Sequence, residues 1–466
     1  MLPSTRATSP AVAWLLACLA CSGSASAAPV QTAPPGPASA VAPETTMPLP
    51  DASAASEGFS SARLERLHAF LRESTGPSGY LGGVTLIARH GHIVDWQAYG
   101  HRDLARTQPM RRDDIFRMYS MTKTVTSVAV LMLVEEGKLS LDDPASKYLP
   151  EFARLQVLDG GTVDAPRWRA PARPLTLRHL LTHTSGFAAG LPGDELAGAL
   201  AERNDPHGAA DLRGFVAMAA RNGLAADPGT RFGYEAANLE ALARIVEVAS
   251  GQDFASFLQS RVFAPLRMHD TGFIVPAAKR ARVVDITRMG TVHKLEPDDG
   301  PSSRAPGAAL NAYASGAGGL YSTAGDYARF CQMLLDGGTL DGQVLLGRKT
   351  VELMLSNNLA GILDPPVNQY SDGEGFGLGG YVILDPARRG TPGSPGAFGW
   401  SGAASTNYII DPREGMSAIV LLQHLPNGAA DDLPRIGRRV QALVYQALVA
   451  PDPTVAARLS PAAATP

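Results

Sequence analysis

Apolar positions recur along this chain with more than one rhythm. Between Ser61 and Leu71, Leu64, Leu67, Phe70 and Leu71 fall at helical spacing and predict an amphipathic helix. Val84 to Ala88 and Ile93 to Tyr99 flank a His90-Gly91 turn and predict a strand pair. From Ser120 the run through Val125, Val128 and Leu131 to Glu135-Glu136-Gly137 is apolar on nearly every side. It predicts a buried helix that Gly137 ends. Leu139 to Pro144 then reads as a turn, and helical patterns dominate from about 176 to 270. One of these follows Tyr234 through Leu242, Ile245 and Val248 to Gly251, and a later one spans Tyr327 to Leu335. Strand character returns at Gly380 to Leu384, at Asn407 to Ile410 and, beyond the Asp411 to Gly415 turn, at Met416 to Leu422. A closing helix is expected over Leu433 to Val449.

Strands at both ends of this region with helices between them predict a mixed α/β (α+β) fold. One antiparallel sheet is assembled from N- and C-terminal segments and flanked by helices, with a helical domain beside it and a site in the cleft between them. The expected domain spans residues 58–450, its α/β part about 58–150 and 310–450 and its helical part about 151–309.

Composition changes the picture mainly at the ends. Arg6, the short apolar run Ala11 to Ala20 and Ala25-Ser26-Ala27 read as an export signal over residues 1–27, implying a periplasmic or secreted protein. Leu15-Leu16-Ala17-Cys18 offers a rival reading, a lipoprotein anchored at Cys18. Residues 28–57, rich in Ala, Pro, Ser and Thr, read as a disordered linker, and 451–466 as a disordered tail. Cys331 is the one cysteine outside the leader, and its helical setting reads as a small buried hydrophobe. A net charge of −3 with interspersed signs gives no reason to expect nucleic acid or an anionic membrane as partner.

The candidate chemistry starts at Ser120 and Lys123, the chain's single Ser-x-x-Lys pair among only six lysines. Three residues apart on a helix, the hydroxyl and the amine share one face. A serine is activated when a neighbour takes its proton, and burial favours the neutral amine that a lysine needs to do so. Read alone, the motif leaves open a lysine whose tip merely reaches solvent. Pro228-Gly229-Thr230 delivers Tyr234 to a helix start; a phenol near an amine can relay protons, but this segment alone reads as a tyrosine packed under a loop, and Glu235 complements the helix N-terminus. Gly399-Trp400-Ser401-Gly402-Ala403-Ala404 leads into a strand, and its small residues let an edge strand offer an N–H to an oxyanion.

Other motifs are discounted. Gly375 to Gly380 matches a dinucleotide fingerprint but is followed by a strand instead of a helix. His179 and His183 have zinc-ligand spacing, but Leu180 stands where a metalloprotease has its glutamate, so both read as structural. Ser185 reads as a cap and turn.

Together, Tyr119-Ser120-Met121-Thr122-Lys123, Leu180 to Gly186, Pro228 to Tyr234, Gly318 to Asp326 and Gly399-Trp400-Ser401-Gly402 resemble the serine β-lactamase and penicillin-binding superfamily. The resemblance is to its class C-like branch and especially to the β-lactamase-fold esterases (family VIII carboxylesterases). It covers about residues 60–449 and implies a β-lactamase/transpeptidase-like catalytic domain. It further implies Ser120 as the acylated nucleophile, Lys123 as its base partner, Tyr234 as proton relay, and the N–H groups of Ser120 and Ala403 as oxyanion hole.

Two departures bear on substrate. Ala236 replaces the asparagine of Tyr-x-Asn, and Asn238 is not at the right spacing. Trp400-Ser401-Gly402 replaces Lys-Thr-Gly, which removes a cation for a substrate carboxylate. The expectation is a serine carboxylesterase that cleaves short-chain esters of uncharged acids, with Trp400 offering apolar area beside Ser401 and Gly402. Neither metal nor organic cofactor is implied, and the expected partner is a small-molecule ester. The alternatives are a class C-like β-lactamase or D-alanyl-D-alanine carboxypeptidase, and a non-catalytic binding protein of this fold.

Overall fold

The computed structural model describes residues 48–290, 294–428 and 431–450, and the elements that position the site are these. Helix α1 (Ser61–Ser74) precedes a hairpin of β1 (Gly82–Arg89) and β2 (His92–Gly100). Next come α2 (Thr122–Glu135), α3 (Leu177–Leu181), α4 (Leu212–Asn222), α5 (Ala237–Ser250) and α6 (Ala324–Leu335). Strands β3 (Glu374–Phe376), β4 (Tyr381–Ile383), β5 (Phe398–Ser401), β6 (Asn407–Asp411) and β7 (Met416–Leu422) follow, and α7 (Gly437–Tyr445) closes the order.

The seven strands form one sheet in the order β3-β4-β5-β6-β7-β1-β2. The expected joining of chain ends is therefore present, with β1 antiparallel to β7 from Gly83↔Leu422 to Arg89↔Met416. Every residue of β1 and of β7 is buried. Strands with no wet face need cover on both sides. Trp96 of β2 lies against Gly325 of α6, whereas its neighbour Asp95 meets His68 of α1, so α6 and α1 cover opposite faces. His90 and Gly91 both adopt positive φ, 50° and 82°, the combination a two-residue hairpin of this twist requires.

Several boundaries differ from expectation for local reasons. Order begins before Ser60: Leu49 is buried, and the Ala52 N–H donates to the Ile93 carbonyl at 2.9 Å. Within the last ten residues of the expected linker Leu49 is thus anchored, because a low average hydrophobicity does not register one leucine that finds a slot. The leader 1–27, with Cys18, residues 28–47 and the tail 451–466 lie outside the described residues. The closing helix, Gly437–Tyr445, is shorter at both ends than the expected Leu433 to Val449, and Pro434 lies before its start. Two strand pairs, Val157–Gly161 with Pro166–Arg169 and Thr287–Met289 with Leu295–Pro297, stand inside the mostly helical middle. Cys331 is fully buried on α6, and burial pushes its thiol well up. Among the described residues no helix is long and apolar enough to cross a membrane.

Candidate active site

Ser120 sits in a single 3-10 turn, Tyr119–Met121, that runs into α2. Tyr119 takes φ +45°, a left-handed conformation uncommon for a residue with a side chain. The turn is clamped from both sides. Met118 N–H donates to the Leu320 carbonyl at 2.8 Å, and the Thr406 hydroxyl donates to the Met118 carbonyl at 3.2 Å. Arg117, fully buried, donates from its guanidinium to the carbonyls of Gly319 and Ala308, both at 2.7 Å. Ser120 itself remains partly exposed.

One helical turn on, Lys123 is 3% exposed. Its Nζ lies 3.0 Å from Ser120 Oγ and donates to the Ala317 carbonyl at 2.7 Å. The amine is therefore out of bulk water and held by two oxygens. The Tyr234 ring lies alongside, its centroid 4.9 Å from Nζ. The phenol makes no hydrogen bond to Ser120 or Lys123 in this geometry; its oxygen accepts the Trp400 indole N–H at 2.9 Å. Catalytic contacts are often longer in unliganded enzymes than in their reacting complexes.

Trp400 lies near the end of β5, which pairs with β4 only through Phe398 and Gly399. This strand is internal to the sheet, not an edge as expected, but its last two residues are unpaired on the β4 side, and there the indole reaches Tyr234. Gly402 N–H is taken by the Thr406 carbonyl at 2.8 Å, so a tight turn follows and leaves Ala403 exposed. Gly402 packs so closely on Met118 and Thr406 that a methyl there would overlap both, which seats this turn against the Ser120 segment. Ser401, the last residue of β5, is partly exposed.

Sequence reasoning missed what holds Tyr234. His183, fully buried, packs its ring 4.5 Å from the phenol ring. Its Nδ1 accepts the Glu235 N–H at 3.2 Å and the Asn238 amide at 3.0 Å, which places the ring proton on Nε2. Burial, and then the Lys123 charge, hold this imidazole well below its usual range, so it stays neutral. Asn238 thus points into the protein, and Ala236 leaves its position without an amide. The sequence signals for His183 were its place in Leu180 to Gly186 and its spacing from His179, which read only as structural. His179 joins a capping box with Thr176 at the start of α3; burial, with Arg173 and Arg178, lowers it to about 4. Ser185 accepts the Phe187 N–H at 3.3 Å, a turn contact. Glu235 accepts the N–H groups of Ala236 and Ala237 as a helix start requires. Gly375 to Gly380 links strand to strand.

Aromatic rings complete the wall. Trp400 stands 4.9 Å from Tyr234, 5.1 Å from Phe376 and 6.0 Å from the half-exposed Tyr370, centroid to centroid. Tyr370 had no signal in the sequence, being an isolated ring in a polar loop. A separate cavity of about 410 Å³, lined by Phe187, His207, Phe215, Glu235 and Ala237 among others, touches neither Ser120 nor Trp400.

A sheet of chain ends that abuts a serine beside a buried lysine is the architecture of penicillin-recognising serine hydrolases, and comparison with known proteins agrees. Residues 67–442 match the Beta-lactamase family model. Esterase EstB of Burkholderia gladioli is 32% identical over 388 residues, covering 79% of this chain and 92% of the relative. A lovastatin esterase of Penicillium rubens is 30% identical over 386 residues, covering 74% and 90%. The unliganded selenomethionyl structure of simvastatin synthase (LovD) from Aspergillus terreus superposes with a TM-score of 0.69 at 24% identity, covering 84% and 98%, and supports the fold. The chain belongs to the β-lactamase family. It is a serine hydrolase of β-lactamase fold whose relatives are esterases and acyltransferases.

Proposed function

We propose that this protein hydrolyses short-chain carboxylic esters of uncharged acids through an acyl-enzyme on Ser120. The observation that carries the reading is the Ser120–Lys123 contact at 3.0 Å in a niche from which Lys123 is almost wholly excluded from water. In its neutral form the amine spends one hydrogen on the Ala317 carbonyl and turns its lone pair to the serine hydroxyl. Ser120 Oγ attacks the ester carbonyl as its proton passes to Nζ, and Tyr234 carries a proton to the departing alcohol. Water, deprotonated through the same pair, then attacks the acyl-enzyme and releases the acid. The N–H groups of Ser120 and Ala403 receive the charge that appears on the carbonyl oxygen.

The preference for uncharged acids rests on what surrounds that pair. Ala236 offers no amide for an acylamino side chain. At the position where a β-lactamase has its lysine, Trp400 gives its one N–H to Tyr234 and presents ring area with Tyr370 and Phe376. Export rests on the leader pattern of residues 1–27 alone.

The test is turnover of p-nitrophenyl butyrate against nitrocefin, with mass spectrometry after an ester pulse. A mass gain of one acyl group in wild type, absent from Ser120→Ala, is expected, with the ester strongly preferred. A preference for nitrocefin would assign a β-lactamase instead. Absence of any adduct with ester or fluorophosphonate would assign a binding protein, and a gain that survives in Ser120→Ala would assign another nucleophile.

A further inference from the structure

Helix α5 carries an acid on a face where its packing calls for an apolar side chain. Glu240 is 1% exposed. One of its oxygens accepts the Ser315 hydroxyl, and the other accepts the Gly316 N–H at 2.9 Å. Ser315 Oγ in turn accepts the Gly318 N–H at 3.2 Å. From the opposite side the Thr126 hydroxyl of α2 donates to the Gly316 carbonyl at 2.7 Å. The residue between, Ala317, supplies the carbonyl that holds Lys123. Loop and helix approach so closely that a methyl on Gly316 would overlap Leu239 and Ala243 of α5.

A buried carboxyl is costly unless its oxygens are filled, and here both are filled by one loop. The charges that reach Glu240 come from Lys123 on α2 and His207 in the turn Pro206–Gly208, and its own charge reaches the Tyr313 phenol. Burial lifts the carboxyl to about 7, against the opposing pull of Ser315, Gly316, Lys123 and His207. Helix α5 is also the helix that Tyr234 leads into, so the same acid ties the acceptor of the amine to the element that follows the phenol.

We infer that Glu240 is a positioning residue for acyl transfer, fixing the Ser315–Ala317 loop so that the Ala317 carbonyl holds the Lys123 amine on Ser120. This rests on the reading of Ser120 and Lys123 as the reacting pair. A role of this kind shows in kcat and in the pH profile, whereas a purely structural one shows only in stability.

Two variants test it. In Glu240→Gln the amide oxygen accepts the Gly316 N–H and the amide nitrogen donates to Ser315 Oγ, whose hydroxyl rotates, so the geometry is kept and the charge removed. With p-nitrophenyl butyrate its plateau kcat should stay within about threefold of wild type, while the profile loses an inflection between about pH 6 and pH 8. Ser315→Ala removes two bonds of the loop, the one given to Glu240 and the one taken from the Gly318 N–H, and leaves α5 intact. Its kcat should fall about tenfold with KM changed less than about threefold, and fluorophosphonate labelling of Ser120 should slow in proportion. Either variant matching wild type in both kcat and pH profile overturns the role of Glu240. A wild-type protein that neither hydrolyses esters nor labels with fluorophosphonate overturns the esterase reading and this one with it. One that labels while the variants are unchanged overturns Glu240 alone.

Discussion

Trp400 does two things with one side chain, and they are separable by substitution. Its ring covers apolar area next to Tyr370 and Phe376, and its N–H donates to the Tyr234 oxygen. A donor at that oxygen holds the phenol in one orientation, so its loss would disturb proton transfer through Tyr234. Trp400→Phe keeps most of the area and loses the donor. Steady-state kinetics on p-nitrophenyl butyrate should show kcat down about tenfold with KM within about twofold. An unchanged kcat would mean that the indole serves only as a wall. The sequence offered Trp400 as apolar area and was silent on the N–H, because the direction of an indole nitrogen depends on a partner 166 residues away. The Ser120–Lys123 contact was legible because residues three apart on a helix always share a face.

At the scale of elements, the site depends on the turn after β5 sitting flush on the segment before α2. Gly402 is where the two meet, its Cα facing the Met118 carbonyl and the Thr406 hydroxyl. Gly402→Ala forces the turn away from Ser120. A urea titration should show a loss of about 1–3 kcal/mol, the usual cost of inserting a methyl into a filled space. Acylation should slow as well, since Ala403 moves with the turn. Native stability with native acylation would show that the turn has slack. The helices and strands were readable from hydrophobic periodicity wherever they were long: α1, α2, the β1–β2 hairpin and β7 lie close to expectation. The short hairpin at Val157–Gly161 and Pro166–Arg169 was not, because its strands, Val-Leu-Asp-Gly-Gly and Pro-Arg-Trp-Arg, carry little apolar alternation and leave only Val157 fully buried.

For the molecule as a whole, acid stability reports on the ion pairs that Asp270 makes with Lys279 and Arg282 beside α6. Asp270 accepts from Lys279 at 2.7 Å and from Arg282 at 2.5 Å, while its own N–H donates to Asp326 on α6 at 2.8 Å. Burial alone would raise its carboxyl, but the bonds to Arg282 and Lys279 outweigh that and bring it below the usual carboxylate value of 3.8. A carboxyl depressed by folding stabilises the native state above its unfolded value, and that stabilisation fades as pH falls through the folded one. Thermal unfolding of wild type and Asp270→Asn should therefore differ by on the order of 1 kcal/mol at pH 6 and converge as the pH falls below 3.8 and through the lowered folded value. A constant gap over this range would show that the pair contributes nothing through its charge.

What the sequence determined by itself is what short-range geometry and composition can encode. The helical phase places a hydroxyl and an amine together, the run of apolar residues buries the amine, and the hairpins at both ends require one another to form a sheet. The order of motifs also carries the family. The tertiary structure decided how the pair is held, and the reason is physical. The Ala317 carbonyl, 194 residues from Lys123, is a backbone group that every residue possesses and no pattern marks. The direction of the Trp400 N–H, the neutral His183 beneath Tyr234 and the burial of Glu240 are likewise set by which distant surfaces meet when the chain closes.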